Sequence, residues 1–387
     1  MHFRQVVLSI VAVVACASDE PPTAETVAPL AVPGIKQAVS CGDPGGGPPG
    51  VVGEVGLPPS GTDLQEYVIP TSVFPDALCN DGSAAVMYFA PGSSAGSWLI
   101  ELEGGGSCRD AQDCANRWCS VGTNFGRQNM SSTDLQNRKV TGLKANGLQS
   151  TARGPFATYN HVFIHYCSSD GWAGTSPSVV GTANDPANGG PVTFSTRFNG
   201  NAILAAAIQV LRQVGATLPG MPDLDLADGD VVIAGGSAGR AGVIFQLDRT
   251  VDGLRRNNIA DSNPNYTMPH YSGLIDSAFP PQLSTLSYQL TAECSSSACT
   301  WEDYVDATEP YYSHVTDDSC ETYHAARGTD YECLDLTHLV HRSANARPAW
   351  AVSRTVTPWT SRSLEMGTAV VRRWLERENR VGRHRVL

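Results

Sequence analysis

The stretch Asp230-Val231-Val232-Ile233-Ala234-Gly235-Gly236-Ser237-Ala238-Gly239 passes from a short apolar run into a glycine-rich turn. A helical pattern follows, from Ala238 to about Leu254. A few apolar residues bounded by turn formers read as a buried strand. Strand, sharp turn with a central Ser, then helix is the context of the G-x-S-x-G nucleophile elbow. Such a turn strains the Ser backbone, and only small neighbours let strand and helix pack so closely. The Ser237 hydroxyl is thereby expected at the top of the sheet. The Ala238 N–H, at the helix N-terminus, is expected to face a developing oxyanion. The same glycines also suit a strand–helix turn without chemistry. A dinucleotide fingerprint is disfavoured, because the spacing is not G-x-G-x-x-G.

Outward from this turn, the runs Ala85–Phe89, Trp98–Leu102, Val162–Tyr166 and Gly273–Ile275 also read as buried strands. Leu204, Ile208 and Leu211 share one helix face. Alternating strands and helices predict an α/β fold with a mostly parallel central sheet flanked by helices. The polar, Cys-rich stretches 107–160 and 280–345 read as loop insertions above the carboxyl edge of the sheet. A second glycine signal, Glu103-Gly104-Gly105-Gly106-Ser107, directly follows the strand at 98–102. Serine hydrolases draw an oxyanion donor from such a loop.

Composition narrows the class. The chain has 387 residues, 26 Lys+Arg and 38 Asp+Glu, a formal charge of −12. An acidic chain does not suit nucleic acid, whose binding rests on clustered cations. No apolar run approaches the ~20 residues of a membrane span. Arg4 and the apolar Val6–Ala15 read as an export signal, and Val13-Val14-Ala15-Cys16 as a lipobox with Cys16 as the lipidated residue. A plain secretory signal cleaved near Ala15 or Ala17 is the alternative. Ala17 and Ser18, rather than Asp, point to the outer membrane, so the expected place is the cell envelope or the medium. Cys16 aside, ten of the eleven cysteines remain, an even number that suits disulfides in an oxidising compartment. Short spacings favour Cys294–Cys299 and Cys320–Cys333. A metal site is disfavoured, with no C-x-x-C pair, and no cofactor is expected. Residues 1–16 are thus read as signal, 17–61 as a Pro/Gly-rich tether and 62–387 as the catalytic domain.

The segments Leu102–Gly106, Cys108, Cys114, Asn116-Arg117-Trp118, Met130-Ser131-Ser132, Val162–Asp170, Trp172-Ala173-Gly174, Gly235–Gly239 with Asp248-Arg249, and Asp276-Ser277 resemble the pectin acetylesterase/Notum family of α/β-hydrolases. The resemblance runs in consistent order from about residue 80 to 280. It implies an extracytoplasmic serine carboxylesterase that removes acyl groups, often acetyl from polysaccharide. Carried over, Ser237 is the nucleophile, and Gly105, Gly106 and Ala238 supply the oxyanion hole. Asp170 and Trp172 are expected to face the pocket, with a core aromatic as the other reading of Trp172. An aromatic residue usual in the family is replaced by Gly106. Asp276 corresponds to a buried supporting carboxylate and serves as a fallback acid.

The triad order Ser, acid, His requires an acid and a His downstream. After the candidate strand Ala349–Val352, residues 353–360 hold no carboxylate, and His384 is the sole later His. His384 is therefore the candidate base, with a solvated tail residue as its other reading. His314, His324, His338 and His341 sit in the polar insertions. Residues 347–387 hold nine Arg and three Glu, a balance of +6, against −18 for the rest. Either this tail is truncated or translated from a shifted frame, or the chain has diverged and lost its triad. The functional expectation is a monomeric carboxylesterase acting on an acylated polysaccharide, glycoconjugate or small ester. A catalytically inactive glycan-binding module of the same fold is the alternative.

Overall fold

β3 (Trp98–Leu102) and β8 (Asp230–Gly236) run side by side and parallel, with Leu102 level with Gly235. Trp98, Ile100, Leu102, Val231 and Ile233 join the core on one face, while Leu99, Val232 and Ala234 join a second cluster. That alternation is the period of two of a strand buried on both faces. β5 (Asn160–Ile164) lies parallel to β3 on its other side, and β9 (His270–Asp276) and β10 (Trp350–Ser353) continue the parallel set beyond β8. β1 (Thr62–Val68), β2 (Val86–Ala90) and β4 (Leu143–Lys144) form an antiparallel margin. The order is β10-β9-β8-β3-β5-β2-β1-β4. This is an α/β-hydrolase fold, with the elbow near the middle of its sheet.

The computed structural model describes residues 32–41, 62–122, 125–133, 143–144, 147–151, 154–256, 269–276, 301–336, 339 and 350–353. α3 (Gly200–Leu211) and α4 (Ala238–Arg256) cover one sheet face. Leu204, Ile208 and Leu211 of α3 and Val243, Leu247, Val251 and Leu254 of α4 enter the core. Each such side chain contributes about 1.5–3 kcal/mol on burial. No helix among the described residues is long and apolar enough to cross a membrane.

Three expectations change. β5 ends at Ile164, because Tyr166 gives its amide to the Glu103 carboxylate (2.8 Å) instead of a strand partner. Inside the stretch read as tether, α1 (Ile35–Ala38) packs on the domain, with Ile35 and Val39 buried and Cys41 bonded to Cys119. The Cys-rich insertions are also more regular than their composition suggests. α2 (Ala111–Trp118) and α6 (Asp318–Ala325) are each capped by a preceding Asp, Asp110 and Asp317, whose side chains accept from N3 amides. α5 (Trp301–Tyr312) carries Pro310 inside it. The hairpin of β6 (Ser176–Asn184) and β7 (Pro191–Phe198) went unread in the sequence, although Asn188-Gly189-Gly190, where both glycines take positive φ, marks its turn.

Among the described residues, four disulfides join Cys41–Cys119, Cys79–Cys167, Cys108–Cys114 and Cys320–Cys333. They fit an extracellular, oxidising location. Cys294, Cys299 and Cys16 lie outside the described residues.

Candidate active site

Ser237 stands between the last residue of β8 and the first of α4, at φ 52°. A non-Gly residue in the left-handed region is strained, as a nucleophile elbow requires. The turn closes because Gly239 has no side chain: a Cβ there would lie 1.9 Å from the Leu102 carbonyl oxygen. Ala238 opens α4, so its N–H has no intrahelical acceptor.

The loop after β3 abuts this turn. A Cβ on Gly104 would lie 2.9 Å from Ser237 Cβ. No acceptor among the described residues takes the N–H of Gly105 or Gly106. Such backbone donors are rare in a folded interior and suit a hole that waits for an oxyanion. Gly106 has φ +70°, a left-handed conformation that glycine takes without steric cost.

Buried side chains hold the loop. The Glu103 carboxylate meets His165 Nδ1 at 2.6 Å and accepts from the Tyr166 amide at 2.8 Å. His165 Nε2 lies 3.1 Å from the Ser131 carbonyl. Trp172 Nε1 donates to the Glu103 carbonyl (3.0 Å), and Arg117 Nη2 donates to the Gly105 carbonyl (2.5 Å). The sequence shows Glu103, Arg117 and His165 but gives no sign that they converge. Their partners lie 12 to 69 positions away.

Asp170 and Trp172, expected to face the pocket, are both buried, and their polar atoms pair within the fold. The Asp170 carboxylate accepts from Ser168 Oγ (2.6 Å), Gly200 N (2.7 Å) and Trp172 N (3.0 Å), tying this loop to the start of α3. Burial pushes its carboxyl upward, against these donors. Trp172 packs on Tyr166, with centroids 5.3 Å apart, and fills the space where Gly242 of α4 lacks a side chain. Burial likewise raises the Tyr166 phenol, whose oxygen accepts from Gly171 N at 2.7 Å.

Asp276 ends β9, with its backbone level with Gly236 of β8 on one side and Ser353 of β10 on the other. It therefore lies at the same edge as the elbow. His384, His338 and His341 lie outside the described residues. His314 Nδ1 meets Glu309 Oε2 at 2.5 Å, and His324 Nδ1 meets Thr329 Oγ1 at 2.7 Å. Cys320, His324 and Cys333 bring ligand-type atoms within 4.8 Å of one another, but both sulfurs are spent in a disulfide.

A family model described as Pectinacetylesterase matches residues 59–261. Palmitoleoyl-protein carboxylesterase NOTUM of Drosophila melanogaster is 35% identical over 179 residues, 46% of this chain and 23% of that protein. The protein of the same name from Mus musculus is 28% identical over 256 residues, 66% of this chain and 44% of that one. The chain thus spans less than half the length of these relatives. A crystal structure of the Wnt deacylase Notum from Drosophila aligns with TM-score 0.51 and 23% identity over 81% of each chain, a likeness of fold.

Proposed function

Because the chain belongs to the pectinacetylesterase family, we propose that it is a serine carboxylesterase with Ser237 as nucleophile. The observation that carries this reading is the strained Ser237 set against a glycine loop with open N–H donors. Ser237 Oγ adds to an ester carbonyl carbon while a base takes its proton, and the carbonyl electron pair moves onto oxygen. The N–H groups of Gly105, Gly106 and Ala238 hold that oxyanion. Its collapse expels the alcohol and leaves an acyl-enzyme, which water cleaves by the same route. His384 is assigned as the base and Asp276 as its orienting acid, which stands at the right edge of the sheet. The reaction as drawn calls on no cofactor or metal.

The substrate is proposed to be an acylated, most simply acetylated, polysaccharide or glycoconjugate. The named relatives act on palmitoleoylated protein, which supports an ester attached to a biopolymer. The chain is further proposed to act as a monomer, held at the outer membrane by an acylated Cys16 ahead of the domain, or else secreted. Purified protein is expected to hydrolyse p-nitrophenyl acetate, and Ser237→Ala to abolish this. Hydrolysis that survives the substitution refutes the site.

A second reading is an inactive glycan-binding module of the same fold. The lack of any carboxylate in residues 353–360 favours it. Acetylated-glycan binding without hydrolysis would select it.

A further inference from the structure

Arg117 lies on α2 with 3% of its surface exposed, directly behind the glycine loop. Its Nη2 donates to the Gly105 carbonyl at 2.5 Å and reaches the Asn129 carbonyl at 3.5 Å. A Cβ on Gly106 would lie 3.2 Å from its Nη1. Among the described residues its Nε has no hydrogen-bond partner, and no carboxylate is within ion-pair distance of it. Asp113 acts on it only at longer range and is bonded to Arg109 at 2.9 Å. Burial lowers the guanidinium's hold on its proton, but arginine stays charged in proteins. A buried cation without a counter-ion is costly and needs a reason.

The peptide between Gly105 and Gly106 supplies one. In a trans peptide the carbonyl and the N–H point in opposite directions. Fixing the Gly105 carbonyl on Arg117 therefore turns the Gly106 N–H away from α2. A cation on the carbonyl also polarises the peptide and strengthens its N–H as a donor. We propose that Arg117 is the built-in counter-charge of the reaction's oxyanion, acting through the Gly105–Gly106 peptide. This inference rests on the esterase reading. Arg117 does not touch substrate; it is a positioning residue whose charge is answered only when Ser237 Oγ adds to the carbonyl and the oxygen takes up the electron pair. In the ground state that oxygen is neutral, so the effect belongs to kcat rather than KM.

Steady-state hydrolysis of p-nitrophenyl acetate by wild type, Arg117→Gln, Arg117→Lys and Ser237→Ala tests this. Arg117→Gln is expected to lose about 10²-fold in kcat, the scale of one oxyanion donor, with KM nearly unchanged. Arg117→Lys, which keeps the charge but not the fork, is expected to recover part of the loss. A folded Arg117→Gln with wild-type kcat, or a loss confined to KM, overturns the proposal. Hydrolysis that survives Ser237→Ala defeats the esterase reading itself. Hydrolysis lost there but kept in Arg117→Gln defeats only the role of Arg117.

A measurement without turnover reads the same site. Phenylphosphonate, a tetrahedral anion, is titrated into the Ser237→Ala protein while the Gly106 amide is followed by NMR. Binding is expected, and it should weaken at least about ten-fold when Arg117→Gln is added, by loss of a buried charge–charge term. Equal affinity, or no binding by either protein, overturns the inference.

Discussion

At the ends of β3, β5 and β8, each group around the elbow is braced. The Gly105 carbonyl is held by Arg117, the Glu103 carbonyl by Trp172, and the Glu103 carboxylate by His165 and Tyr166. At the ends of β9 and β10, the same edge carries Asp276 and Ser353, and the chain then enters the Arg-rich stretch with no early carboxylate. The nucleophile side is over-determined: a strained Ser, close glycine contacts and buried anchors all demand one geometry. The acid and base side depends on residues that sequence and strand order only propose. A preorganised oxyanion hole can thus be built entirely from the first half of the sheet, while turnover needs the second.

Breaking each half tells them apart. Ser237→Ala should remove turnover almost wholly, by about 10⁶-fold as for other serine hydrolases, in initial-rate assays. On the other side, His384→Gln is expected to cost about 10⁶-fold in kcat and Asp276→Asn about 10⁴-fold. Unchanged turnover in either variant removes that residue from the triad. Gly239→Ala should destabilise the fold by about 3 kcal/mol, read by urea denaturation, because its methyl collides with the Leu102 carbonyl. Wild-type stability there would mean the elbow is looser than these contacts imply.

Asp170→Asn is expected to have the smallest effect, about 1–2 kcal/mol near neutral pH, since an amide oxygen keeps part of the acceptor role. Its pH dependence carries more information. The native carboxyl is raised above 3.8, so the folded protein holds the proton to higher pH than the unfolded chain. The stability this gives is fully present below the unfolded value and is lost as pH rises through the native one. Asp170→Asn should flatten that slope in melts taken from pH 3.5 upward, and an unchanged slope would assign it to another group.

Much of the nucleophile side was legible in the chain. β3 was read with its observed ends, and α4 begins where the helical pattern begins, because Gly-Gly-Ser-Ala-Gly fixes both elements at their junction. What escaped was long-range pairing. Nothing near Arg117 shows that it reaches Gly105 across a disulfide-closed loop, nor near Ile35 that a Pro/Gly-rich stretch would dock through Cys41. The inward pairing of Asp170 and Trp172 escaped for the same reason. Their loop stands at the carboxyl edge, but its side chains turn inward to hold α3 and α4.

Reaction with a fluorophosphonate, followed by peptide mapping, tests the central assignment most directly. One phosphonyl group on the peptide carrying Ser237, absent from Ser237→Ala, is the expected result. Unlabelled wild-type protein, or a label on another residue that persists in Ser237→Ala, would contradict it.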